Sequence, residues 1–136
     1  MTVELLRLLF DFGLLVLIWL VQLVVYPGFQ YYNAENLLKW HQKYTIGISV
    51  VVIPLMFGQL ITAVLLLFEL KTIFTIGSLF LISMVWAITF LQFVPLHRKI
   101  AVGEFDNTLL KKLVRRNWSR TLIWTVIFIW TFLTSL

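Results

Sequence analysis

The chain has only two histidines, His41 and His97, and their spacing places them at one level of a helical hairpin. The turn of that hairpin is expected at Leu70, which lies 29 residues after His41 and 27 residues before His97. In an antiparallel pair of helices these two positions differ by only ~3 Å along the axis. Two neighbouring imidazoles can carry a proton, and they are also a suitable pair of axial haem ligands.

Aromatic, basic and amide side chains are predicted at the same level as the histidines. The candidate ligand-binding residues in this cluster are Gln22, Trp40, Tyr44, Gln92, Arg98, Asn117, Trp118 and Arg120. Three interpretations of the cluster remain open. The first is an interfacial belt of aromatic and basic residues, the second is a small-molecule pocket, and the third is a haem site.

In the pocket interpretation, each residue type has a defined role. Arg98 and Arg120 would attract an anionic or phenolic group, and Asn117 would form a hydrogen bond with the ligand. His41 or His97 would be the catalytic residue that moves a proton. The apolar walls would be Trp40, Tyr44 and Trp118.

Metal chemistry is limited to haem by the available ligand types. The chain has no cysteine, and no third histidine or carboxylate is placed to complete a zinc or non-haem iron site. Haem held by His41 and His97 stays open, although Pro95 indicates that the third helix ends before His97. No cofactor is favoured from the sequence.

The elements that must position these residues are transmembrane helices. The 136 residues are 61% hydrophobic and 12% charged, which is roughly half the charged fraction of a soluble domain. A span needs about 20 residues, and the apolar runs predict four spans at about 5–26, 44–68, 72–96 and 117–136. We therefore predict a single all-α domain, an antiparallel up-down bundle of four transmembrane helices.

The basic residues predict the orientation of this bundle. Nine of the eleven Lys and Arg residues fall in the two segments between spans one and two and between spans three and four, including Arg120. Basic residues mark cytoplasmic loops, so we expect both termini outside the plasma (inner) membrane and both large loops in the cytoplasm. The basic residues that give the net charge of +5 lie beside apolar spans, which is where membrane proteins place them. We therefore expect no nucleic-acid partner.

The segment before the fourth span has the pattern of a short amphipathic helix. Asp106 or Asn107 can cap a helix whose stripe of leucines and valine is surrounded by Lys111, Lys112, Arg115 and Arg116. Such a helix is expected to bind anionic lipid headgroups and to run into span four. The second helix is expected to begin before the membrane, near Asn33.

Charged and amide residues inside the spans need partners. Arg7 and Asp11 are spaced i, i+4 and predict an ion pair, partly exposed near the outer surface. A second interpretation makes Asp11 a proton or cation site together with Gln59. Arg120 lies in the first turn of span four, where its side chain is expected to extend outward to the interface.

Short motifs at both ends of the chain resemble a known family. Pro95 is followed by Leu96-His97-Arg98-Lys99-Ile100, then by Asn117-Trp118-Ser119-Arg120-Thr121, and the front carries Tyr26-Pro27 and Trp40-His41-Gln42-Lys43-Tyr44. Together they resemble the anthrone-oxygenase-like family of small four-helix integral membrane proteins. The resemblance implies a four-helix bundle, oxidation of anthrones to anthraquinones, and functional importance for His97, Asn117 and Arg120.

These observations predict a membrane protein with a small-molecule pocket that opens to the cytoplasm. An oxidoreductase acting on a hydrophobic aromatic or quinone-like compound is the favoured activity. The alternative is a non-catalytic helical subunit or assembly factor of a larger membrane complex. Besides the lipid bilayer, the expected partner is a protein of such a complex or a second copy of the chain in a homo-oligomer. No P-loop, serine-hydrolase, Rossmann or zincin motif is present.

Overall fold

The computed structural model describes all residues 1–136, and it consists of four long helices without a strand. The helices are α1 (Val3–Tyr31), α2 (Ala34–Glu69), α3 (Ile73–Ala101) and α4 (Asn107–Ser135). Helices α1, α2 and α3 are each long and apolar enough to cross a membrane. The all-α class is confirmed.

Helix α4 combines two segments that were predicted separately from the sequence. It runs without a break for 29 residues, so the predicted amphipathic helix and the predicted fourth span are one helix. Asp106 caps its start by accepting a hydrogen bond from the backbone N–H of Leu109 at 2.9 Å. The basic residues of its first turns make this helix less apolar than the other three.

The connection between α2 and α3 is a tight turn, as expected. Thr72 and Thr75 form a capping box, in which each side chain hydrogen-bonds the backbone N–H of the other. Helix α2 starts after Asn33, whose side chain accepts from the N–H of Asn36 at 2.8 Å. The predicted start of the second helix is therefore confirmed.

Two prolines do not end their helices, contrary to expectation. Helices α1 and α3 each contain a five-residue π-helical segment, Val21–Val25 and Thr89–Phe93. The second residue after each segment is a proline, Pro27 or Pro95. A proline lacks the N–H of an α-helical bond and its ring clashes with the preceding turn, whereas the wider π turn relieves both constraints. Both helices consequently continue past their prolines.

Glycines permit close approach of aromatic side chains between helices at two positions. A Cβ atom on Gly58 of α2 would lie 2.4 Å from the ring of Phe10 on α1. A Cβ on Gly77 of α3 would lie 2.6 Å from the indole of Trp130 on α4. Aromatic rings therefore pack directly onto helix backbone, which is how small residues increase contact between membrane helices.

We predict that Gly58→Ala destabilises the bundle by about 1–3 kcal/mol, because the Phe10 ring must move to admit a methyl group. The measurement is the thermal unfolding midpoint of the purified protein in mild detergent. Gly47→Ala is the matched control on the same helix, since a Cβ there meets no atom within 4 Å. Alanine favours helix over glycine, so this control is expected to raise stability by about 0.5–1 kcal/mol. Equal effects of the two substitutions would contradict the packing.

Candidate functional site

One hydrogen-bonded chain links all four helices at the end of the bundle where α2 and α4 begin. His41 Nε2 on α2 lies 2.8 Å from His97 Nδ1 on α3. His97 Nε2 lies 2.9 Å from the hydroxyl of Tyr26 on α1. Arg120 Nη2 on α4 donates to that same hydroxyl at 3.0 Å. We call these four residues the relay cluster.

Arg120 is held by neutral partners only. Its Nε and Nη2 donate to Asn117 Oδ1 at 3.0 and 2.8 Å, and its Nη1 donates to Thr89 Oγ1 at 3.4 Å. Its guanidinium carbon lies 3.6 Å from the ring centroid of Phe93, a cation–π contact. The side chain is buried, and no carboxylate lies within ion-pair distance of it.

A buried amide fixes the orientation of Asn117. Gln22 Oε1 accepts hydrogen bonds from Asn117 Nδ2 at 3.0 Å and from Thr121 Oγ1 at 2.9 Å. Gln22 Nε2 in turn donates to the backbone carbonyl of Val114 at 3.1 Å. Because its amide nitrogen is engaged by Gln22, Asn117 must present its oxygen to Arg120.

Both π-helical segments supply residues to this site. Gln22 lies in the segment of α1, while Thr89 and Phe93 are the first and last residues of the segment of α3. A π turn inserts one extra residue and so rotates the side chains that follow it, here Tyr26 and His97. Single π turns within α-helices are frequent at functional sites.

A cavity of about 250 Å³ adjoins the relay cluster. Tyr26, His97 and Arg120 form its polar end. The remaining lining residues come from all four helices: Leu17, Ile18, Val21, Tyr44, Thr45, Ile48, Ser49, Val52, Met56, Thr89, Phe93, Val94 and Trp124. A mostly apolar cavity with a few convergent polar groups is typical of a small-molecule site.

Two proton arrangements satisfy the histidine pair equally well. In one, Tyr26 donates to His97 and His97 donates to His41. In the other, His41 donates to His97 and His97 donates to the Tyr26 oxygen. Starting from the first arrangement, a donor in the cavity can protonate the Tyr26 oxygen while Tyr26 passes its proton to His97 and His97 passes one to His41. One proton thereby moves from the cavity to His41, which becomes an imidazolium. His41 Nδ1, at the far end, is buried without a hydrogen-bond partner.

The structure brings most of the candidate residues together. One hydrogen-bonded network includes five of them: His41, His97, Arg120, Asn117 and Gln22. Tyr26 joins its histidines to Arg120. Tyr44 lines the cavity and packs against both histidine rings. The prediction that Arg120 extends outward to the interface is wrong, because its guanidinium turns into the bundle to meet Phe93 and the Tyr26 hydroxyl.

Four candidate residues lie outside the site. Arg98 and Trp40 are both exposed, and neither is among the residues that line the cavity. Trp118 is 40% exposed and packs edge-on against Trp19 instead. Gln92 is half-buried and takes no part in the network. Each lies one residue from a residue of the network or core, on a neighbouring face of its helix.

Two central residues have roles that the sequence did not predict. Tyr26 joins Arg120 to the histidines, and Phe93 covers the guanidinium. Tyr26 follows Gln22 by four residues, one helical turn, and this spacing is the signal that could have identified it. Phe93 had no distinguishing signal among the 12 phenylalanines of the chain.

The histidine pair does not fit haem in this arrangement. Axial ligands must direct their nitrogens at the iron from opposite faces of the macrocycle. His41 Nε2 and His97 Nδ1 instead face each other at 2.8 Å, with their rings stacked at a centroid distance of 5.1 Å. No cluster of three or more His, Asp or Glu side chains suitable for a metal ion is present elsewhere.

A second buried polar network lies toward the other end of the bundle. Asp11 accepts from Arg7 Nε at 2.8 Å, from Gln59 Nε2 at 2.6 Å and from Thr131 Oγ1 at 2.6 Å. Trp124 Nε1 donates to Gln59 Oε1 at 3.1 Å. The predicted Arg7–Asp11 pair is present, but it is not partly exposed: both residues are only 1% exposed.

We predict that Gln22→Met lowers stability by roughly 1–3 kcal/mol, because Asn117 and Thr121 lose their shared acceptor inside the bundle. The measurement is again the unfolding midpoint in detergent. Gln92→Met is the matched control in the other π-helical segment, where no network bond is lost, and it is expected to be neutral. A neutral Gln22→Met would show that this network contributes nothing to stability.

Comparison with known proteins assigns no family to the chain. No protein-family model, no curated protein and no solved structure matches it. The resemblance to the anthrone-oxygenase-like family therefore stays a prediction from short motifs. Function has to be inferred from the geometry of the site itself.

Proposed function

We propose that this protein binds a small aromatic or quinone-like molecule with an acidic hydroxyl group, and transfers a proton to or from it. The observation that carries the proposal is the relay cluster, which joins a buried arginine to two histidines beside an apolar cavity. The apolar walls would hold the ring system of the ligand. Arg120 and Tyr26 would bind its oxygen.

We further propose that all four helices cross the bilayer in an antiparallel up-down arrangement. The pairs between α1 and α4 support this, because Gln22 bonds Asn117 whereas the earlier residue Asp11 bonds the later residue Thr131. Nine basic residues lie toward the relay-cluster end, which favours placing that end at the cytoplasmic face of the inner membrane. Anionic headgroups would then contact the basic start of α4.

The charge of Arg120 favours an anionic ligand. A buried charge is costly without a counter-charge, and the hydrogen bonds from Arg120 go to uncharged groups. A phenolate or enolate oxygen at the polar end of the cavity would supply the missing negative charge. A neutral hydrocarbon would leave the guanidinium uncompensated.

The relay cluster suits removal of a proton from such a ligand. His97 has both ring nitrogens engaged, so a ligand proton would travel through the Tyr26 hydroxyl to His97 and then to His41. The resulting anion would be electron-rich, and dioxygen could accept electrons from it directly. This is the kind of oxidation that the resemblance to the anthrone-oxygenase-like family implies. A non-catalytic subunit would require neither the linked histidines nor the arginine beside the cavity.

Binding of 2-hydroxy-1,4-naphthoquinone, a flat and acidic probe, tests the role of Arg120. We predict that Arg120→Met weakens binding roughly 10- to 100-fold, which corresponds to about 1.5–3 kcal/mol for a hydrogen bond with a charged group. Quenching of tryptophan fluorescence measures it, since Trp124 lines the cavity.

Arg98→Met is the matched control for this measurement. It removes the same charge from an exposed position near the same end of the bundle, so affinity should stay within about twofold. Equal affinity of Arg120→Met and wild type would contradict the proposed ligand orientation. An equal loss in both variants would instead indicate attraction by overall charge.

Proton transfer is tested separately from binding by Tyr26→Phe. The ring keeps its stacking on Phe93, whereas the bond from the cavity to His97 is lost. We predict that oxidation of an anthrone probe, followed by oxygen consumption, slows at least tenfold, because positioned acid–base groups contribute about 10²–10⁴-fold. Affinity should change only a few-fold. Tyr31→Phe is the control, because Tyr31 is 91% exposed.

A rate in Tyr26→Phe equal to that of wild type would exclude the relay cluster as the proton path. If the wild-type protein binds the naphthoquinone probe but does not oxidise the anthrone probe, it is a binding protein for such molecules and not an oxidase.

A further inference from the structure

A second cavity lies at the opposite end of the bundle, next to the turn between α2 and α3. Its volume is about 450 Å³, and all four helices contribute to its lining. Apolar side chains form much of the wall, among them Leu66, Phe74 and Trp130. The cavity shares no lining residue with the one beside the relay cluster.

Arg7 lines this cavity and has unused hydrogen-bonding capacity. Its Nε donates to Asp11 Oδ2 at 2.8 Å, but its Nη1 and Nη2 are buried without any partner. The residue is only 1% exposed, and its guanidinium carbon lies 5.6 Å from the ring centroid of Phe74. Burying a hydrogen-bond donor without an acceptor costs free energy. A ligand that offers acceptors to Nη1 and Nη2 would therefore bind favourably here.

Asp11 does not supply the missing acceptors, because neither of its oxygens bonds Nη1 or Nη2. Its Oδ1 is occupied by Gln59 at 2.6 Å, and its Oδ2 already accepts from Thr131 at 2.6 Å besides Arg7. Oxygen atoms that approach from the cavity are the remaining partners for Nη1 and Nη2. A phosphate or carboxylate group offers several such oxygens in a geometry that suits a guanidinium.

The other charged groups of the cavity exclude a simple anion. Arg7 is already neutralised by Asp11, and the exposed carboxylates Glu4 and Glu69 line the same cavity. These four groups together carry a net negative charge. A ligand with both an anionic oxygen and an ammonium group would match Arg7 at one side and the glutamates at the other.

We propose that this cavity binds a zwitterionic phosphoethanolamine group, with phosphate oxygens on Arg7 Nη1 and Nη2 and the primary ammonium facing Glu4 and Glu69. Two sources share this chemistry, a phosphatidylethanolamine headgroup and soluble phosphoethanolamine. The ends of membrane helices lie at headgroup depth, and the apolar wall suits a glycerol backbone and the first acyl carbons. The site acts independently of the relay cluster and of any reaction there.

Lipid titration of the delipidated full-length protein tests this site. Short-chain phosphatidylethanolamine, phosphatidylglycerol and phosphatidylcholine, and soluble phosphoethanolamine, are added separately in mild detergent. Native mass spectrometry measures the bound fraction. We expect phosphatidylethanolamine to bind at least tenfold more tightly than the other two lipids, because only it combines the phosphate with a primary ammonium.

Two double variants separate the two halves of the ligand. Glu4→Gln with Glu69→Gln should abolish the preference for ethanolamine over glycerol, and both positions are exposed, so the fold should be unaffected. Arg7→Met with Asp11→Asn should weaken binding of all three lipids at least tenfold, while the introduced amide oxygen can still accept from Gln59 or Thr131. Glu35→Gln with Glu104→Gln is the matched control at the other end of the bundle.

The lipid titration has results that support the proposed site and results that overturn it. Phosphoethanolamine that binds as tightly as the lipid supports the site and assigns it to a soluble ligand. A preference for phosphatidylglycerol, or lipid affinities unchanged in Glu4→Gln with Glu69→Gln, would overturn the proposal. If the Arg7 variant does not fold, the glutamate variant decides alone. Binding of the naphthoquinone probe is expected to be unchanged in Glu4→Gln with Glu69→Gln, so failure here is distinguishable from failure at the relay cluster.

Discussion

The carboxylate of Asp11 has almost no contact with solvent and accepts hydrogen bonds from Arg7 on α1, Gln59 on α2 and Thr131 on α4. Helix backbones satisfy their own hydrogen bonds, so apolar helices in a bilayer have few features that define how they rotate or slide against one another. A buried carboxylate with donors from three helices defines both the rotation of these helices and their position along the axis. Trp124 extends this constraint, because it bonds Gln59 and also lines the cavity beside the relay cluster.

Residue spacing along the chain was sufficient to predict the helices and the meeting of the histidines. A tight turn after α2 leaves only one simple packing for α2 and α3, so counting residues from Leu70 brings His41 and His97 to one level. The direct bond at 2.8 Å between them agrees with that count. The Arg7–Asp11 pair was predictable for the same reason, since an i, i+4 spacing fixes the geometry within one helix.

The direction in which side chains point was not predictable. Apolar residues surround each helix, so hydrophobic periodicity does not mark the face that turns inward. Trp40 and Arg98 were therefore chosen by type and level, although their neighbours His41 and His97 face the interior. The π-helical segments add a second difficulty. Each segment inserts one residue and so rotates every later side chain of α1 or α3. In the sequence, only the prolines that follow the segments mark their positions.

Arg7 and Arg120 are both buried, yet they differ in what they require from a ligand. Arg7 has a carboxylate on its Nε and lacks acceptors at Nη1 and Nη2, so it requires oxygen atoms but little further negative charge. Arg120 has acceptors for all three of its nitrogens and lacks a counter-charge, so it requires charge more than hydrogen bonds. The two proposals follow from this difference: a zwitterion for the cavity at Arg7, and an anion that has released a proton for the cavity at Arg120.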